Sequence, residues 1–272
     1  MAIDNSFMIK KLEHFDSIYV LYSAYTHCPF IECDEETADD QVYCFTTKEM
    51  TNTFAHPYQL EKILLQAVQV PQKMMKSFFQ NLYLYGVNAI MIQDEGAPVR
   101  VQLSQIAEKP DLEAMKNDKI PRANPELQLT GLYFMQDLMR PVERTQEEKR
   151  HLHDLEADMA HYLLNSRFIV TADVTKINGK ITKENIHSAG VPLVKTKSGH
   201  VYQPIYTDFV ELQKFNHKNK GMKLEMITVT YDKLKDFITP QSEGFVFNPA
   251  GFNLVLNRDQ LDAMQRRYAE EV

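Results

Sequence analysis

Phe45-Thr46-Thr47, with Phe54 nine residues beyond the first aromatic, recurs as Tyr206-Thr207-Asp208, with Phe215 at the same spacing. Working outward, Gln69-Val70-Pro71 with Met75 and Phe78 matches Thr228-Val229-Thr230 with Leu234 and Phe237. Gly86 answers to Gly244, and Gly96 with Val99, Val101 and Ile106 answers to Gly251 with Leu254, Leu256 and Leu261. The offset between matched residues falls only from 161 at Phe45 to 155 at Gly96, so short insertions separate two copies of one module.

Both copies predict the same elements. Ile18–Tyr22 and Phe168–Val170 are short, β-branched and aromatic, as buried strands are. Second strands follow around Val42–Phe45 and Val201–Tyr206, each leading into a helix through a capping-box pattern, Thr46-x-x-Glu49 and Asp208-x-x-Glu211. Apolar residues then alternate at Ile63, Leu65 and Ala67 and at Met222, Leu224 and Met226, the period of a half-buried strand. Pro71 and Thr230 open the next helices, through Met75 and Phe79 and through Leu234 and Phe237. Strands at Val87–Ile92, Val99–Leu103, Phe245–Phe247 and Leu254–Leu256 close the copies ahead of a final helix. The expected fold is therefore α+β: two related modules, each a mixed sheet flanked by helices in β-β-α-β-α-β-β order. Between them, Pro110, Pro121 and Pro125 mark a linker, followed by helices at Leu132–Leu138 and Gln146–Asn165.

Composition restricts the function. A net charge of −7 argues against non-specific binding to phosphate backbones, and no basic-aromatic platform offers a nucleic-acid surface. The start of the chain lacks the basic and apolar regions of a signal peptide, and no apolar run is long enough to span a bilayer. Three cysteines do not make a disulfide framework, so the expected compartment is the cytoplasm. The acidic block Glu32–Asp40 lacks the spacing of a calcium loop and predicts a solvated loop between strands.

Motifs for chemistry are scarce. There is no glycine-rich phosphate loop, no G-x-S-x-G elbow and no H-E-x-x-H. His27-Cys28, Cys33 and Cys44 lack the paired short spacings of a zinc site. His151, His153 and His161 fall off the apolar Leu152/Leu155/Met159 stripe of their helix, as a solvated face does. No catalytic residue, metal or cofactor is expected. The most distinctive string is Phe245-Val246-Phe247-Asn248-Pro249-Ala250-Gly251-Phe252-Asn253, read as a strand and a turn, with Gly251 supplying positive φ. A polar turn carrying Asn248 and Asn253 is also where ligand or partner contacts gather.

That string, together with Ile205-Tyr206-Thr207-Asp208 and Leu254-Val255-Leu256-Asn257-Arg258-Asp259-Gln260-Leu261, resembles the SseB family, the "enhanced serine sensitivity" domain. The resemblance covers roughly residues 150–268, and the first copy fits the same pattern without the Asn-Pro turn. It implies a small cytosolic α+β module with no established catalytic activity, and it assigns no residue a role. The resulting division is a diverged SseB-like module at 1–108, a linker and connecting helix at 109–145, and an SseB-like module at 146–272. The expected function is a non-enzymatic interaction or regulatory protein with a protein partner, no nucleic acid and no membrane. Tyr206, Thr207, Asn248, Pro249 and Asn253 are its candidate contact residues. The alternative is a small-molecule binding protein or an enzyme with its site in the cleft between the modules.

Overall fold

A computed structural model describes residues 5–177, 189–218 and 221–268. The chain divides into two compact units, residues 1–112 with 128–155 and residues 113–127 with 156–272.

The first unit opens with α1 (Ser6–Leu12) and then β1 (Ser17–Ser23), β2 (Ile31–Asp34) and β3 (Asp39–Phe45). After α2 (Lys48–Leu60) come β4 (Leu65–Pro71), α3 (Gln72–Leu82), β5 (Ala89–Gln93) and β6 (Val99–Gln102). The sheet order is β4-β1-β3-β5-β6, with β2 added to β3, and β3 and β5 run parallel in an otherwise antiparallel sheet. Strand alternation divides the residues between faces. Tyr19, Leu21, Tyr43 and Phe45 meet Met50, Phe54, Ala55 and Tyr58 of α2. Ile18, Val20, Val42 and Cys44 point the other way and are fully buried.

After α4 (Leu112–Asn117), α5 (Pro125–Leu138) and α6 (Gln146–Leu164), the second unit repeats the order. Its strands are β7 (Arg167–Asp173), β8 (Val194–Lys195), β9 (Val201–Tyr206), β10 (Leu224–Thr230), β11 (Gly244–Phe247) and β12 (Leu254–Asn257). They form the sheet β10-β7-β9-β11-β12 with β8 added to β9, and β9 and β11 are its parallel pair. Its helices are α7 (Phe209–Lys218) and α8 (Arg258–Tyr268). Tyr206 and Ile169 pack under Leu212 and Phe215 of α7, as Phe45 and Leu21 pack under α2. The fold class and the duplication are as expected.

Several details differ. The Glu32–Asp40 block is a β2–β3 hairpin, and Glu32, Asp34, Asp39 and Asp40 in it have partners. The Tyr58 hydroxyl donates to Glu32 at 2.7 Å and the Tyr133 hydroxyl to Asp40 at 2.6 Å. Gln102 donates to Asp39 at 2.8 Å, and Arg100 ion-pairs with Asp34. Gln136 of α5 then holds the backbone of Ile31 from both sides, its amide donating to the carbonyl at 2.9 Å and accepting from the N–H at 3.1 Å. The segment Tyr231–Phe237, expected as a helix like α3, is a 3₁₀ helix, and the first copy ends in one 3₁₀ turn, Leu103–Gln105.

The proline-punctuated stretch is anchored. Arg167 donates to the carbonyls of Lys116 and Asp118 at 3.0 and 2.7 Å, and the Phe209 N–H donates to Pro121 at 2.8 Å. Ile120 joins the apolar cluster under α7.

Candidate functional site

The candidate residues converge where the carboxyl ends of the parallel pair β9 and β11 meet the start of α7. Asn248 sits there in left-handed backbone, φ 47°, a conformation that asparagine tolerates better than most residues. It is fully buried, and five hydrogen bonds account for its polar groups. Its N–H donates to Ile205 at 2.9 Å, and its carbonyl accepts from Gly251 at 2.8 Å and Asn253 at 3.1 Å, which closes the turn. Its side-chain oxygen accepts from the Thr207 N–H at 3.0 Å, and its amide donates to the Thr207 hydroxyl at 2.8 Å. That hydroxyl donates to Asp208 at 2.7 Å, and Asp208 accepts from the Glu211 N–H at 3.1 Å, capping α7.

Positive φ belongs to Asn248 and to Asn253 (φ 58°), and Gly251 is needed for a different reason. An added Cβ there would lie 2.5 Å from the Glu211 carboxylate, so any other residue would have to displace that buried side chain from the first turn of α7. Glu211 is buried and ion-pairs with Lys214.

Among the sequence candidates, Tyr206, Thr207 and Asn248 are fully buried, Pro249 is half-buried and Asn253 is exposed. The Tyr206 ring packs at a tilt against Phe215, centroids 5.6 Å apart, and burial pushes its phenol pKa well above the ordinary value.

The first module solves the same junction differently. The Thr46 N–H donates to the backbone carbonyl of Gln93 at 3.2 Å, the role taken by the Asn248 side chain in the second module. The Thr46 hydroxyl donates to Asp94 at 2.9 Å, and Lys11 ion-pairs with the same carboxylate at 2.6 Å. These bonds hold the Asp94 pKa below the usual carboxylate value, the Lys11 hydrogen bond contributing most. The turn itself, residues 95–98, is exposed, and Gly96 has nothing within 4 Å of its Cβ direction. Where Gly251 covers Glu211 in the second module, the first leaves Met50, the matching residue, facing a notch of about 320 Å³. Glu49, Thr53, Phe54 and Gln93 complete its lining. Sequence spacing did not single out this notch, although its signal is present: the Asn-Pro turn is missing from one copy only.

The other sequence clusters stay apart. Cys28 and Cys44 are buried, Cys33 is exposed, and His151, His153 and His161 line an exposed helix face. Among the described residues, no group of three His, Cys, Asp or Glu could hold a metal, and no helix is long and apolar enough to cross a membrane.

Residues 148–263 match the family model described as the SseB protein N-terminal domain. The second module is therefore similar to the SseB N-terminal domain over this stretch. No curated protein gave a significant match. Two solved structures align with the chain: Tic22 from Plasmodium falciparum at 12% identity, covering 97% of this chain and 98% of that one, and Anabaena Tic22 (protein transport) at 10% identity, covering 97% of each. Both have a TM-score of 0.21, too low for either to carry an argument. Thr207, Asp208 and Asn248, which lie inside the matched range, join the β11–β12 turn to α7.

Proposed function

We propose that this is a non-enzymatic, cytoplasmic protein-interaction protein, with its SseB-type second module closed and its first module open to a partner. One observation carries the reading. The same strand–turn–helix junction is filled in one copy by its own Gly251 turn and left in the other as a notch over Met50 and Phe54. A mostly apolar notch of this size suits one or two side chains of a partner polypeptide. Glu49 in its lining favours a partner that is basic at this point. In the second module, Tyr206, Thr207 and Asn248 act by ordering the turn, which presents Pro249 and Asn253 for contact.

The test is a pull-down from source-cell extract with the full chain, beside a thermal-shift screen of small molecules. The expected result is a protein recovered by the native chain and lost by Thr53→Arg, which fills the notch mouth from an exposed position. A small molecule that binds the folded state would instead raise stability by about 2.7 kcal/mol at a hundred times its Kd. Such a shift, with no partner recovered, would overturn the proposal.

A further inference from the structure

A second cavity in the first module, about 360 Å³, shares no lining residue with the notch. Ile9 and Leu12 of α1, Met75, Lys76 and Phe79 of α3, and Ile106 form most of its wall. The second module shows what occupies the corresponding place when the module is complete.

There, α6 precedes the first strand and buries Met159 and Leu163, four residues apart, as α1 buries Met8 and Leu12. The segment Tyr231–Phe237 follows the edge strand as α3 does, with Leu234 matching Met75 and therefore Lys235 matching Lys76. After the last strand comes α8, eleven residues long, with Leu261, Met264 and Tyr268 buried at spacings of three and four. This helix ties the other two elements together. The Tyr231 hydroxyl donates to the Leu261 carbonyl at 3.1 Å, and the Tyr268 hydroxyl donates to Glu156 of α6 at 3.1 Å. Asp262 ion-pairs with Lys235.

In the first module the matching helix stops after the single turn Leu103–Gln105. Ile106 stands where Leu261 does and Ala107 where Asp262 does, and no helix continues to supply counterparts of Met264 and Tyr268. The cavity lies between the elements that α8 bridges in the other copy. Lys76 is exposed and makes no ion pair among the described residues, whereas its counterpart Lys235 holds an acid of α8.

We propose that the α1–α3 groove receives an amphipathic α-helix of a partner protein, laid as α8 lies in the second module. Two apolar residues three or four apart enter the cavity, the spacing that places side chains on one helix face. An aspartate or glutamate on the helix edge pairs with Lys76, and a basic or polar residue of the helix faces Glu13, the other charged residue of the lining. The turn-end notch plays no part in this inference, and either can fail alone.

The probe is a fluorescein-labelled, hydrocarbon-stapled peptide with the sequence of α8, Arg258–Tyr268, titrated into the full chain by fluorescence polarisation. The expected result is saturable binding that Lys76→Glu weakens about fivefold, the scale of losing and then reversing one exposed ion pair. A peptide carrying Asp262→Lys should bind the Lys76→Glu chain better than the unaltered peptide does. Ile9→Asp, at a half-buried position on the cavity wall, should also weaken binding while leaving the thermal midpoint near that of the parent. Absence of saturable binding would overturn the proposal. So would binding indifferent to Lys76→Glu and Ile9→Asp, the outcome if the peptide exchanged with α8 or an apolar small molecule were the true occupant.

Discussion

Asn248 and Thr207 exchange two hydrogen bonds, amide oxygen to backbone N–H at 3.0 Å and amide nitrogen to hydroxyl at 2.8 Å, in a site closed to solvent. The exchange ties the β11–β12 turn to the start of α7. Asn248→Ala leaves the Thr207 N–H buried without its acceptor and places alanine at φ 47°. The expected cost is about 2–4 kcal/mol from the two effects together. Chemical denaturation of the full chain reads it. Asn253→Ala, at an exposed residue, should cost less than half as much.

Gly251 and Gly96 occupy matched places with opposite tolerances. Gly251→Ala forces its Cβ onto the Glu211 carboxylate and should cost about 1–3 kcal/mol, the range for overpacking a close contact. Gly96→Ala, with open space around it, should stay within about 0.5 kcal/mol of the parent. Equal effects in the two variants would contradict the idea that only one junction is filled.

Asp94 gives the first junction a pH signature. Its carboxyl is held below the ordinary value by Lys11 first and by the Thr46 hydroxyl as well. A depressed folded-state pKa contributes stability above the unfolded pKa, and that contribution is lost as pH falls through the folded value. Carboxyl chemical shifts followed by NMR should show Asp94 titrating at higher pH in Lys11→Met than in the parent. An unchanged titration would remove Lys11 from the junction.

Residues 113–127 belong with the second unit, through Arg167, Phe209 and Ile120. A chain spanning 113–272 should therefore unfold at higher denaturant than one spanning 128–272. Removing the segment strips at least five hydrogen bonds and a packed isoleucine, about 3–5 kcal/mol or more in all. Coincident midpoints would show that the segment contributes nothing.

The repeated strands and α2 were legible because their apolar residues keep period 2 or helical spacing around short motifs that survive in both copies. Lost to the sequence were features set by distant partners. Glu32-Cys33-Asp34 has no apolar alternation, yet it forms β2 because Gln136, more than a hundred residues on, satisfies the backbone of Ile31. Asn248 reads as a polar turn residue, and hydropathy does not distinguish one that faces water from one whose bonds are all internal. Residue type points to Gly251 for positive φ, whereas Asn248 and Asn253 carry it and Gly251 answers to the proximity of Glu211. The open notch over Met50 was invisible for the same reason. Its presence depends on what the turn does in space.

The most direct test of the central claim is site-specific photo-crosslinking in living cells, with the crosslinker at Thr53 on the notch. Two chains are compared: the parent, and one whose turn 94–98 is replaced by the sequence of 248–253. The account predicts a discrete protein adduct from the parent that disappears in the grafted chain while its thermal midpoint holds or rises. An adduct of equal yield from the grafted chain, or none from either, would contradict it.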